Sequence, residues 1–99
     1  PGVEGINADR VIVYGNGGGD YIKVSNSAGT TPTELFGGDG DDWIRGGLGD
    51  DTIVGGDGDD FMRGAQGQDR IYGYGGNDTL LGGLGSDSLL GGDGNDELR

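Results

Sequence analysis

The sequence predicts an all-β fold, a solenoid of two parallel sheets packed back to back, and two observations carry that prediction. Residues 37–99 divide without remainder into seven nonapeptides: GGDGDDWIR, GGLGDDTIV, GGDGDDFMR, GAQGQDRIY, GYGGNDTLL, GGLGSDSLL and GGDGNDELR. Four columns then hold in every unit. Position 1 is glycine (Gly37, Gly46, Gly55, Gly64, Gly73, Gly82, Gly91) and so is position 4 (Gly40, Gly49, Gly58, Gly67, Gly76, Gly85, Gly94). Position 6 is aspartate (Asp42, Asp51, Asp60, Asp69, Asp78, Asp87, Asp96), and position 8 is a large aliphatic side chain (Ile44, Ile53, Met62, Ile71, Leu80, Leu89, Leu98). A fixed short period marks a chain whose units stack only on their neighbours.

The column chemistry sets the shape. Positions 7–9 read as a three-residue strand whose central side chain faces one way and whose flanking pair faces the other. The invariant aliphatic residue at position 8 therefore points inward, and positions 7 and 9 point out. Positions 1–6 form a turn that reverses the chain. Two nonapeptides make one coil, and equivalent residues stack 18 apart at roughly the 4.8 Å of neighbouring strands.

Ahead of the array, residues 1–36 read as degenerate rungs continuous with residues 37–99 in one domain. Arg10–Tyr14 has strand composition, and Asp9 echoes the aspartate-to-aliphatic spacing. Gly15, Gly18, Asp20 and Ile22 fall at positions 1, 4, 6 and 8 of a well-matched unit. The segment 24–36 is polar, contains Pro32, and has Thr33 where an aspartate would stand if Leu35 is position 8. It reads as a degenerate rung with a loop near 25–33. The chain begins at Pro1 mid-sense and stops at Arg99 on a repeat boundary, as expected of a piece of something longer, and a monomer is expected of such a fragment.

Composition narrows the chemistry. The 99 residues include 27 glycines, no cysteine and no histidine, with 18 acids against six bases and a net charge of −12. That balance argues against nucleic acid or an anionic membrane surface and for cations. No apolar run approaches a membrane span. Zinc, copper and haem lack their usual ligands. The aliphatic column is too thin to offset the ordering of so much glycine-rich backbone, and stacked aspartates add repulsion. Glycine turns can aim several carbonyl oxygens at one point, beside the stacked position-6 carboxylates. A flexible cage of hard oxygens suits calcium better than magnesium.

With these residues the stretch 37–99, and less closely 15–23, resembles the RTX (repeats-in-toxin) family, whose calcium-binding repeat is G-G-x-G-x-D-x-U-x. The resemblance implies a right-handed parallel β-roll. Calcium would be held between stacked turns by aspartate carboxylates and by carbonyls of the position-1 and position-4 glycines. It further implies a secreted or cell-surface protein of bacterial extracellular type that folds on meeting calcium outside the cell. Pairing aspartates 18 apart gives one column of Asp42, Asp60, Asp78 and Asp96, extended by Asp20, and a second of Asp51, Asp69 and Asp87, with Thr33 below Asp51. Asp39, Asp57 and Asp93, at position 3 on the first side, are additional candidate ligands; Leu48, Gln66 and Leu84 hold that position on the second. About six divalent ions would cancel the charge of −12, two charges each. Position-5 acids (Asp41, Asp50, Asp59) read as solvated. Ala65 and Tyr74 replace glycine at position 2, where a left-handed backbone costs roughly 1–2 kcal/mol, so distortion of those turns is expected.

Other readings fit less well. Disorder does not explain an unbroken aliphatic column. An EF-hand fails because Trp43 and Ile44 stand where its loop needs a ligand and glycine. Carboxylate pairs recurring every nine residues do not suit a single glycosidase site. With no nucleophile, histidine base or HExxH motif, no catalysis is expected from these residues. The alternatives are a calcium-dependent module binding carbohydrate or protein through its outer sheet face, where Trp43 over Phe61 and Arg45 over Arg63 are expected to form ladders, and the non-catalytic tail of an exoenzyme.

Overall fold

The computed structural model describes residues 2–3, 11–24 and 30–99. Among these the chain is all β, with two parallel sheets forming a solenoid of about five turns. One sheet runs β1 (Gly2–Val3), β3 (Tyr21–Lys23), β5 (Trp43–Arg45), β7 (Phe61–Arg63), β9 (Thr79–Leu81) and β11 (Glu97–Leu98). The other runs β2 (Val11–Tyr14), β4 (Thr33–Phe36), β6 (Thr52–Val54), β8 (Arg70–Tyr72) and β10 (Ser88–Leu90). Consecutive strands alternate between sheets, as one strand per nonapeptide requires. Asp9, Arg10 and residues 25–29 of the expected loop lie outside the described residues.

Within the array the register steps by 18, as in Ile44↔Met62 and Ile53↔Ile71. Across the degenerate rung it steps by 22, in Ile22↔Ile44 and in Val13↔Leu35. The segment between Lys23 and Thr33 thus absorbs four extra residues (22 − 18) while side-chain parity is kept. Backbone pairing continues past the strands into the turns: Gly37 N–H donates to Val54 O at 2.9 Å, and Trp43 N–H to Asp20 O at 2.8 Å. β1 pairs with β3 through Gly2↔Tyr21; its sequence carries no glycine or aspartate signal for a rung.

The core is one column per sheet. Leu35, Ile44, Ile53, Met62, Ile71 and Leu80 are fully buried, and Ile22, Val13 and Val24 join them. Leu89 is half-buried and Leu98 is 45% exposed, so the column weakens toward the last coil. Outside, position 7 of the first sheet stacks Tyr21 on Trp43 at 4.6 Å and Trp43 on Phe61 at 5.9 Å, with rings within 14° of parallel. These rings spend their faces on one another and present edges outward, which is cross-strand packing. Beside them, position 9 places Arg45 over Arg63 as expected, with Lys23 below.

Candidate metal centre

Each turn brings a carboxylate back over its own first glycine. In most turns the backbone passes through positive φ on the way, as at position 2 (Gly38, φ 90°) and position 4 (Gly40, φ 98°), where glycine is free of strain. Ala65 and Tyr74 hold the same left-handed conformation, with φ 74° and 71°. The expected distortion therefore does not occur; the residues conform to the turn and carry the strain. Ala65→Gly is expected to raise stability in saturating calcium by about 1 kcal/mol, measured by denaturant unfolding.

The position-6 aspartates do more than line up. Asp60 Oδ1 accepts the backbone N–H of Asp42 at 2.8 Å, Asp78 Oδ1 that of Asp60 at 2.8 Å, and Asp96 Oδ1 that of Asp78 at 2.8 Å. At the base of this column Asp42 Oδ1 accepts Asp20 N–H, also at 2.8 Å. The second column repeats the pattern, with Asp69 Oδ1 accepting Asp51 N–H and Asp87 Oδ1 accepting Asp69 N–H, both at 2.9 Å. Half of each carboxylate is thus a bracket to the coil before it. Sequence reasoning assigned these groups to a cation and missed the bracket, although the fixed 18-residue stacking makes it reachable.

The other oxygen fits a metal. Among the described residues Oδ2 of Asp42, Asp60, Asp69 and Asp78 is buried with no hydrogen-bond partner, a costly state for a charged group. Each lies against its turn's first glycine, where a Cβ would stand 2.4 Å from Oδ2 of Asp42, Asp69 or Asp78 and 2.5 Å from Asp60 Oδ2. At Gly37, Gly64 and Gly73 that same point is 2.9, 2.8 and 2.6 Å from the carbonyl oxygens of Gly55, Gly82 and Gly91, one coil on. Carboxylate and carbonyl oxygens therefore converge in a cradle that exists only because position 1 has no side chain. Hard, uncharged and charged oxygens in one flexible pocket are a calcium donor set.

Electrostatics agree. Burial pushes the Asp60 and Asp69 carboxyls up to about 7, helped by the stacked aspartates on either side, and Asp78 to about 6, helped by Asp96 and by Asp59. Asp42 and Asp51 are raised for the same first reason. Ion-free, the fold resists the very charges its sequence installs.

Not every candidate joins the cradles. Asp39, Asp57 and Asp93 are exposed, and among the described residues no three acidic side chains converge on one point. Asp87 and Asp96, in the last coil, are half-buried. The position-5 residues, read as solvated, form a second ladder: Asp41 Oδ1 accepts Asp59 N–H, Asp59 Oδ1 accepts Asn77 N–H, and Asn77 Oδ1 accepts Asn95 N–H, at 2.8–2.9 Å. Asp50 does the same for Gln68. The signal was present in the sequence, since position 5 holds Asp or Asn down that side.

Asp51 stands apart. Its Oδ1 accepts from Thr33 N–H at 3.1 Å and Thr33 Oγ1 at 2.6 Å, and its Oδ2 from Gly47 N–H at 2.9 Å. Gly47 and Gly49 also lack the positive φ seen at positions 2 and 4 in the other turns of the array. Gly46 and Gly49 thus belong to a turn already closed by protein donors, stacked on Thr30 and Thr31.

The sequence model for the RTX calcium-binding nonapeptide repeat, four copies long, matches residues 36–71 and 72–99. No curated protein and no solved structure matches the chain. Repeats of this kind bind calcium and are typical of secreted bacterial proteins.

Proposed function

Because the chain belongs to the RTX calcium-binding nonapeptide repeat family, we propose that it is a calcium-triggered folding module of a secreted or cell-surface protein, with no catalysis of its own. The observation that carries this reading is the row of buried, partnerless Oδ2 atoms on Asp42, Asp60, Asp69 and Asp78, each facing a glycine cradle. Bound calcium would supply positive charge to oxygens that no other described residue neutralises. The chain's own part is to hold one oxygen of each aspartate on the neighbouring coil and leave the other aimed inward. Binding free energy is then folding free energy, and stacked coils respond together. Extracellular calcium modules work at about 10⁻⁴–10⁻³ M, so one chain can be loose inside a cell and rigid outside.

The first column offers cradles at Asp42, Asp60 and Asp78, with Asp20 below; the second begins at Asp69, because Asp51 is closed. Circular dichroism during a calcium titration tests the reading, with magnesium as control. The expected result is a β signal absent in chelator, gained in calcium over a narrow range, and not gained at equal magnesium. A complete β signal in excess chelator would sink it.

A further inference from the structure

We infer that the outer face of the sheet formed by β2, β4, β6, β8 and β10 binds a second copy of this chain, face to face, with the two rolls running in opposite directions. This rests on the calcium reading, because the sheet exists only in the folded roll. Position 9 of that sheet places Tyr14, Phe36, Val54, Tyr72 and Leu90 on successive rungs. Tyr14 is 64% exposed and Leu90 61%, and the three between them are half-buried. The rings of Tyr14 and Phe36 stack at 5.0 Å, and Tyr74 lies beside Tyr72 at 6.4 Å. Single exposed apolar residues are ordinary, but a contiguous apolar band across five rungs marks a contact surface.

The residues around the band say what covers it. β6 is the middle of the five strands, and a twofold axis along it sets each rung against the mirror-image rung of the second copy. Along position 9, Phe36 then meets the second copy's Tyr72, Tyr14 meets its Leu90, and Val54 meets Val54. Position 7 reads Ile12, Glu34, Thr52, Arg70 and Ser88, so the same reversal brings Glu34 over Arg70 at both ends of the contact. Glu34 is also engaged within its own chain, and the crossing sets orientation and register more than affinity. The edge beside position 9 carries Asp39, Asp57 and Gly75 at position 3 on successive rungs. Reversal sets Asp39 opposite Gly75, and on these rungs only Asp57 meets a like charge.

The first sheet offers no such match. Reversed about β7, the middle of β3 to β11, it would set Arg63 on Arg63 and Lys23 on Arg99. Turning the second sheet about the roll axis instead would set position 7 against position 9, with Glu34 over Phe36 and no cation across from it. Size is adequate for the reversed pair. The roll is a plate 33 × 29 × 14 Å, and one broad face can supply the ~800 Å² per partner of an ordinary protein interface. Facing sheets pack about 10 Å apart with strands within about 30°, which an axis along β6 permits. Bound calcium also reduces the repulsion between two chains of charge −12, so association follows calcium.

The test is sedimentation velocity of the chain in saturating calcium from about 1 to 100 µM, with folding of each protein followed by circular dichroism. The wild type is expected to pass from monomer to dimer across this range and no further. Val54→Lys, which sets like charges on the axis, should weaken the dimer by at least about tenfold. Leu81→Lys, at the same position of the first sheet, should stay within about twofold of wild type. Glu34→Arg and Arg70→Glu each oppose like charges and should each weaken the dimer by at least about tenfold. An equimolar mixture of those two should dimerise again, because every crossing between them is opposite in charge. If Val54→Lys loses its fold, the mixture decides, since it leaves the apolar band intact. A wild type that folds in calcium yet stays monomeric, one that assembles without limit, a folded Val54→Lys that dimerises unchanged, or a mixture no better than either variant alone overturns the assignment. A wild type that stays unstructured in calcium overturns the calcium reading first.

Discussion

Asp60→Asn is expected to raise the calcium concentration needed for folding by at least about tenfold, whereas Asp51→Asn should leave the number of bound ions unchanged. Asp60 sits mid-column, with Oδ1 on Asp42 N–H and Oδ2 buried, partnerless and against Gly55. Asparagine can keep the first bond through its carbonyl oxygen but brings a neutral amide to the cradle, so the loss falls on the ion. Removing a charge-assisted interaction of this kind costs about 1.5–3 kcal/mol, or roughly tenfold to a hundredfold. At Asp51 the balance is reversed. Both oxygens already accept from Thr33 and Gly47, so asparagine leaves a buried donor unmatched, at about 1–3 kcal/mol of fold stability. Ion counting by native mass spectrometry beside denaturant unfolding separates the two effects. Equal loss of ions from both variants would contradict the closed-turn assignment.

Acid should partly substitute for calcium. Asp60 and Asp69 titrate at about 7 and Asp78 at about 6 in the ion-free fold, against about 3.9 for an unfolded aspartate. Between about pH 4 and 7 the folded state therefore holds more protons than the unfolded one. Stability of the ion-free fold falls as pH rises through that window. It is fully present below the unfolded pKa and lost by about pH 7. In chelator, lowering the pH from 8 toward 4.5 should restore β signal. Calcium affinity should fall over the same range, because protons and the ion compete for one set of oxygens. The triple variant Asp60→Asn, Asp69→Asn, Asp78→Asn should flatten the chelator profile if these carboxyls, rather than overall charge, are responsible. A chelated wild type equally unstructured at pH 5 and pH 8 would remove the basis for this expectation.

The strands of the array were legible because position 8 is read twice over, once by period and once by burial. Ile44, Ile53, Met62, Ile71 and Leu80 are all inside. Thr33 was legible too, since its parity with Leu35 survives four inserted residues. β1 was not: Gly2 and Val3 pair with Tyr21 and Ile22, but no position-6 aspartate precedes them in the sequence to mark the rung. Within the site, sequence could say which carboxylates stack but not how two oxygens on one carbon divide their duties. That division needs the 2.8 Å geometry of an amide on the next coil. Asp51 shows the limit most clearly. By column it is identical to Asp60, and only the irregular rung beneath it, with Thr33 in place of an aspartate, changes its partners.

The position-6 brackets all face one way. In each column the later residue supplies the oxygen and the earlier one the amide, from Asp42 on Asp20 to Asp96 on Asp78 and from Asp69 on Asp51 to Asp87 on Asp69. The stack is therefore polar, like tiles lapped in a single direction. Cutting it between coils leaves bare position-6 amides on the N-terminal piece and bare position-6 carboxylate oxygens on the C-terminal piece, while the position-5 ladder, lapped the other way, leaves its oxygens on the first piece and its amides on the second. A coil is finished only when the next one has been laid over it, which gives the array a grain running from its first rung to its last.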